Sequence, residues 1–131
     1  PKEVEYSFKL MFEDREISIK AYNINTILSE KIESILSRNI ANTRARDFYD
    51  VYVLLTLRKN DLNKAEIKNA VWKKAEERNS TIYIKEYQKH LDDINNSKDI
   101  LSIWNAYKER YSYAEGINFD EIIKIIREVL S

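Results

Sequence analysis

The chain has 131 residues, 22 basic and 22 acidic side chains, a formal net charge of zero and no cysteine. That length suits one domain with a sizeable core, and 44% hydrophobic with 34% charged residues is globular composition rather than disordered. The charge balance removes any global electrostatic case for nucleic acid or an anionic membrane, leaving only a local patch, and the missing thiols exclude disulfides and thiolate metal sites.

In chain order, Val4, Tyr6, Phe8, Leu10 and Phe12 alternate with Glu5, Ser7, Lys9 and Met11. That is the period of a half-buried strand. After the charged turn EDRE, Ile17, Ile19 and Ala21 alternate with Ser18, Lys20 and Tyr22. The pair predicts a β-hairpin over residues 1–22, which needs further elements to be stable. From Asn25 the spacing becomes helical. Asn25 or Thr26 can cap a helix running to about Asn39, and IANT connects it to a second helix from about Thr43 to Arg58. Asn63 can cap a third, KAEIKNAVWKKAEERN, with a charged face. Ser80-Thr81 marks a break before IYIKEYQKHLDDI. Ser97 opens a helix with Ile100, Leu101, Trp104, Tyr107 and Tyr111, and Asn118 caps a last one carrying Phe119, Ile122, Ile123, Ile126, Val129 and Leu130. The expected class is therefore α+β: an N-terminal β-hairpin, then a mainly α-helical bundle over residues 23–131.

Two segments carry unusual chemistry. On a wheel at about 100° per residue, Ile24, Ile27, Leu28, Ile32, Ile35 and Leu36 share one arc, and Lys31 falls inside it. Arg38 sits at its edge, while Glu30, Glu33 and Ser37 lie outside. A lysine in an apolar stripe either snorkels to water or meets a partner, because an unpaired buried ammonium is costly. The second helix opens on RARDFYD and is apolar nearly all round, as a central helix is. Asp47 and Asp50 stand one turn apart in it. They can favour the helix dipole, pair with Arg44, Arg46 or Lys31, or form a functional site.

These segments, YNINTILSEKIESILSR and ANTRARDFYDVYVLL, resemble the AbiEii/AbiGii family, nucleotidyltransferase-fold toxins of abortive-infection and type IV toxin–antitoxin systems. Tyr22, Ser29, Lys31, Ser34 and Arg38 take the places of the family's third motif, with Asn25 and Thr26 where acidic residues are usual. Arg46, Asp47 and Asp50 match its fourth, Arg-Asp-x-x-Asp. The hairpin and the late WNAYKERYSYAEGINFDEIIKIIREVL look like the family's C-terminal half. The resemblance implies transfer of a nucleotide from an NTP, with Mg²⁺, to an RNA (tRNA) or protein acceptor, and phage defence beside a cognate antitoxin. Lys31 would bind the triphosphate with Arg38. Asp47 would act at the reacting centre, and Tyr22, Arg46 and Asp50 would support it.

The family's Gly-Ser or Gly-Gly turn and acidic pair, which hold Mg²⁺, are not in this sequence. The only glycine is Gly116, so glycine-rich phosphate loops are excluded within these residues. With Pro1 first and Met11 the only methionine, the chain reads as a piece of a longer protein, inert alone, whose metal ligands lie upstream. The rival expectation is a non-enzymatic helical interaction domain.

Other features read more plainly. Tyr83, Tyr87, Tyr107, Tyr111 and Tyr113 near Lys85, Lys89, Lys108 and Arg110 suit helix packing or RNA stacking. His90, the sole histidine, is a surface or packing residue. DDINNSKD lacks the glycine and spacing of a calcium loop. No stretch approaches the roughly 20 apolar residues of a membrane span, and PKEVEYSF is no signal peptide, so the expected compartment is the cytoplasm.

Overall fold

The computed structural model describes residues 24–42, 44–57 and 62–131. These form α1 (Ile24–Arg38), a 3₁₀ turn (Asn39–Ala41), α2 (Ala45–Leu57), α3 (Lys64–Arg78), α4 (Thr81–Lys85), α5 (Tyr87–Asn95), α6 (Lys98–Arg110), a second 3₁₀ turn (Ser112–Ala114) and α7 (Phe119–Leu130). No strand occurs among the described residues, so the α+β expectation is corrected to a helical bundle. The hairpin that suggested a mixed class, over residues 1–22, lies outside the described residues, as does Tyr22. From Ile24 onward the apolar spacing is helical, and a helix satisfies its own backbone hydrogen bonds without any strand partner.

The helix starts follow local chemistry. Asn63 has extended backbone, and its side chain accepts from the Glu66 amide at 3.1 Å. Ser97 does the same for the Ile100 amide at 3.3 Å. Both are capping bonds that satisfy an otherwise orphaned donor. The other two expected caps differ. Asn25 lies inside α1, with its amide donating to Glu66 at 3.3 Å. Asn118 occupies the capping position of α7, but its side chain bonds Glu121 instead of a backbone amide. α3 ends on Asn79 in the left-handed region, φ 56°, which asparagine tolerates better than most residues. IYIKEYQKHLDDI is two helices, because the chain turns at Glu86 between α4 and α5.

α2 runs through the middle of the bundle. Ala45, Phe48, Tyr49, Val51, Val53, Leu54 and Leu55 are all buried, as its all-round apolarity predicts. α1 buries Ile24, Leu28, Ile32, Ile35 and Leu36, and its principal neighbour is α3, which contributes the stripe Ile67, Val71 and Ala75. α7 closes the other side with Phe119, Ile122, Ile123, Ile126, Val129 and Leu130. Phe48 meets Phe119 edge-on at 5.0 Å, and Trp104 of α6 lies 6.2 Å from Phe119. The Trp104 indole N–H donates to the Ile117 carbonyl at 3.1 Å, so its polar edge is satisfied inside the core.

Glu33, expected outside the apolar arc, is buried as well, because α3 and α4 cover that side of α1. Its carboxylate accepts from Ser80 Oγ at 2.8 Å and pairs with Arg78 at 2.5 Å. This clasp ties α1 to the α3–α4 junction. At the end of α1, Asn39 adopts φ 50°. Its amide nitrogen lies 2.7 Å from Nδ1 of buried His90, donating in the tautomer whose proton is on Nε2. Tyr83 flanks the same imidazole at 5.3 Å. His90 is thus a packing residue that holds the turn between α1 and α2. Among the described residues no helix is long and apolar enough to cross a membrane.

Trp104 is the largest fully buried side chain among the described residues. Trp104→Ala should cost about 3–5 kcal/mol of stability, read as a lower midpoint in urea unfolding. A loss below 1 kcal/mol, roughly the scale of a volume-conserving swap, would contradict the packing described.

Candidate functional site: a lysine between two aspartates

Asp47 and Asp50 lie three residues apart, so α2 presents both carboxylates on one side. α1 brings Lys31 to them. Lys31 Nζ lies 3.3 Å from Asp47 Oδ1 and 2.9 Å from Asp50 Oδ2. The side chains are graded in exposure: 16% for Lys31, 13% for Asp47 and 0% for Asp50. Lys31 therefore does not snorkel to water. Its ammonium is the counter-charge that makes a buried carboxylate tenable. Because Asp50 is fully covered and Asp47 is not, the two acids are not equivalent.

The remaining motif residues distribute differently. Arg46 lines one groove with Tyr107 of α6, close enough to oppose the rise of that phenol's pKa. Arg38 is exposed in the last turn of α1, about 10 Å along the helix from Lys31, and does not join the cluster. Ser29 is buried and donates to the Thr26 carbonyl at 2.8 Å. Ser34 Oγ accepts from Arg78 at 3.5 Å. Asn25 and Thr26 lie in the first turn of α1, where the family's acids are usual.

Beside Asp47 the start of α2 and the end of α6 enclose an open groove of about 560 Å³, whose polar lining is Arg44, Arg46, Asp47, Tyr107, Arg110 and Tyr111. Spacing does not join Arg44 and the α6 residues to this site, since some 60 residues separate them in the chain. The only signal is RARD together with a tyrosine-rich C-terminal segment. Of the five tyrosines near basic residues, Tyr83 and Tyr87 belong to α4 and α5, away from this groove. Tyr107, Tyr111 and Tyr113 gather with Tyr49, at 6.0 Å from Tyr49 to Tyr107 and 4.8 Å from Tyr49 to Tyr113.

The electrostatics of this cluster follow from burial. Burial pushes the Tyr49 hydroxyl from 10.0 up to about 12, with Tyr113 and then the Asp50 charge adding to the shift. Burial also raises Tyr107, reinforced by its 2.9 Å hydrogen bond with Tyr113 and opposed by Arg46. Both phenols therefore stay neutral well past their ordinary range.

Mg²⁺ does not fit the Lys31 cluster. The space between the two carboxylates is taken by an ammonium, and no group of three or more acidic or imidazole side chains suited to a metal occurs among the described residues.

Two outcomes follow. Lys31→Ala removes the ammonium 2.9 Å from the buried Asp50 carboxylate and should cost about 3–5 kcal/mol in chemical denaturation, with Asp47→Ala costing clearly less; equal losses would contradict the graded burial. A tyrosine pKa raised on folding adds stability that is full below pH 10 and is lost as pH rises from 10 to about 12. Tyr49→Phe should therefore flatten the fall of Tm across that window; an unchanged alkaline limb would remove Tyr49 as its source.

No curated protein and no solved structure matches the chain significantly. A family model does, over residues 1–125: the nucleotidyl transferase AbiEii toxin of type IV toxin–antitoxin systems. That span takes in both α1 with Lys31 and α2 with Asp47 and Asp50. The chain belongs to the AbiEii family of nucleotidyl transferase toxins.

Proposed function

We propose that the Lys31–Asp47–Asp50 cluster is the nucleotide-contacting part of a transferase that moves an NMP group from an NTP to a hydroxyl of an RNA or protein acceptor. The observation that carries this reading is the graded pairing of one ammonium with two carboxylates at the edge of an open groove, in a chain of a nucleotidyl transferase family. A purely structural ion pair needs only one carboxylate, and it has no reason to leave the second within reach of a groove.

The roles follow from the burial. Asp50, fully covered, holds the Lys31 ammonium at 2.9 Å and is a positioning residue. Lys31 offers a compact charge to a polyphosphate, which competes with Asp47 for it. Asp47, released from the ammonium, orients the attacking hydroxyl and takes its proton. The hydroxyl oxygen bonds the α-phosphorus, the bond to the bridging oxygen breaks, and pyrophosphate leaves. Arg46, beside Tyr107 in the groove lining, supports the start of α2 next to this centre. Arg38, two turns from Lys31, has a lesser nucleotide-contacting role. Mg²⁺, if the reaction uses it, is held by residues other than those described. As a member of a toxin–antitoxin family, the protein would be opposed in the cell by a cognate antitoxin.

Asp47→Asn keeps the shape of the site and leaves Lys31 paired with Asp50, so folding should survive. In the intact protein it should lower incorporation of labelled nucleotide by about 100-fold or more and relieve growth inhibition. A folded Asp47→Asn protein with undiminished transfer and toxicity would overturn the assignment, as would a folded Lys31→Ala protein that keeps both.

A further inference from the structure

A second cavity opens at the far end of α2 from Asp47. The ends of α2 and α7 and the start of α3 enclose about 310 Å³, and Leu55, Leu62, Ile67, Ile125 and Val129 form its apolar floor. Leu55 lies eight residues beyond Asp47, about 12 Å along the helix, so this space is separate from the Lys31 cluster. Its volume is near the small end of the roughly 300–1,000 Å³ that ligand sites occupy. That suits a molecule of amino-acid size rather than a nucleotide. The described residues of the lining include no aromatic ring on which a flat ligand could stack.

Two charges of opposite sign stand at the rim: Lys64 in the first turn of α3 and Glu128 in the last turn of α7. Among the described residues neither side chain has an ion-pair or hydrogen-bond partner. The neighbouring groups that could neutralise them are engaged elsewhere. Glu66 accepts from Asn25 of α1, Arg127 pairs with Asp92 of α5, and Lys68 reaches the Ser131 carbonyl. Each rim charge also opposes its own helix, since Lys64 sits at the positive end of α3 and Glu128 at the negative end of α7. Thr56 brings the carbonyl end of α2 to the same rim, and that last turn has no basic residue. The cavity thus presents a positive and a negative pole around an aliphatic floor. An aliphatic acid would use Lys64 and be repelled by Glu128, and an aliphatic amine would meet the reverse. A molecule with both groups satisfies both poles.

We propose that this cavity binds a small aliphatic zwitterion, the chemistry of a free α-amino acid with a branched side chain, its carboxylate on Lys64, its ammonium on Glu128 and its side chain against Ile67 and Ile125. The proposal goes beyond the transferase reading, uses none of its residues and is tested without NTP or metal.

The probe is leucine, titrated into the isotopically labelled full chain and followed by the amide NMR signals of Ile67 and Ile125. These should shift and saturate. 4-Methylpentanoate lacks the ammonium, 3-methylbutylamine lacks the carboxylate, and glycine lacks the aliphatic body; each should bind about tenfold or more weakly than leucine. Lys64→Gln should weaken leucine and 4-methylpentanoate by about fivefold or more but not 3-methylbutylamine, and Glu128→Gln should weaken leucine and the amine but not the acid. Both side chains are exposed, so folding should survive. Lys73→Gln, an exposed change on α3 outside the cavity, should leave leucine binding unchanged. The proposal is overturned if leucine gives no saturable shift, if any of the three partial ligands binds as tightly, or if the Lys73 control loses as much as the rim variants. It is also overturned if raising protein concentration alone produces the same shifts, which would make the occupant a second copy of the chain. Asp47→Asn should lose transfer yet keep leucine, so failure of the transferase reading and failure of this one are separable.

Discussion

The constraint on which the site depends is the cost of burying a carboxylate. Asp50 lies in the central helix with no exposure, where an ionised group without a cation would cost several kcal/mol. Lys31 meets that cost from the neighbouring helix. Once Lys31 is committed to Asp50, its approach to Asp47 is set by the same geometry, and α1 must keep its rotation relative to α2. The Glu33 clasp to Arg78 and Ser80, and the turn held by Asn39 and His90, fix α1 from its far side and its end.

That arrangement gives two acids of one motif different duties. Spacing alone makes Asp47 and Asp50 equal partners on one helix face. Burial separates them: one is sealed against Lys31, and the other keeps an edge on the groove. The proposed release of Lys31 from Asp47 toward a polyphosphate rests on this asymmetry. The raised phenols of Tyr49 and Tyr107 show the same environment from the next layer outward, a region dry enough to hold hydroxyls neutral past their usual range.

Much of the helical part is legible in the sequence because its signals are local. The caps at Asn63 and Ser97 need only the residues that follow them, and the all-round apolarity of α2 announces a central helix. Lys31 within an apolar stripe, opposite a helix with two acids, is enough to expect that they meet. The departures have a common cause. Glu33 falls outside the apolar arc because a helical wheel knows one partner face, whereas α3 and α4 cover a second. Asn25 and Asn118 have capping chemistry, but other side chains, Glu66 and Glu121, claim their amides. The mixed α+β class rests on residues 1–22, and the described residues form helices alone.

By itself the sequence determined the helix periods, the residues of the two motifs and the family they resemble, since each depends on order and spacing along one segment. The meeting of Arg44 and Arg46 with Arg110 and Tyr111 was decided only by the tertiary structure. So were the burial of Asp50 over Asp47 and the isolation of Arg38. Each depends on how helices distant in the chain cover one another, and no local pattern records that packing.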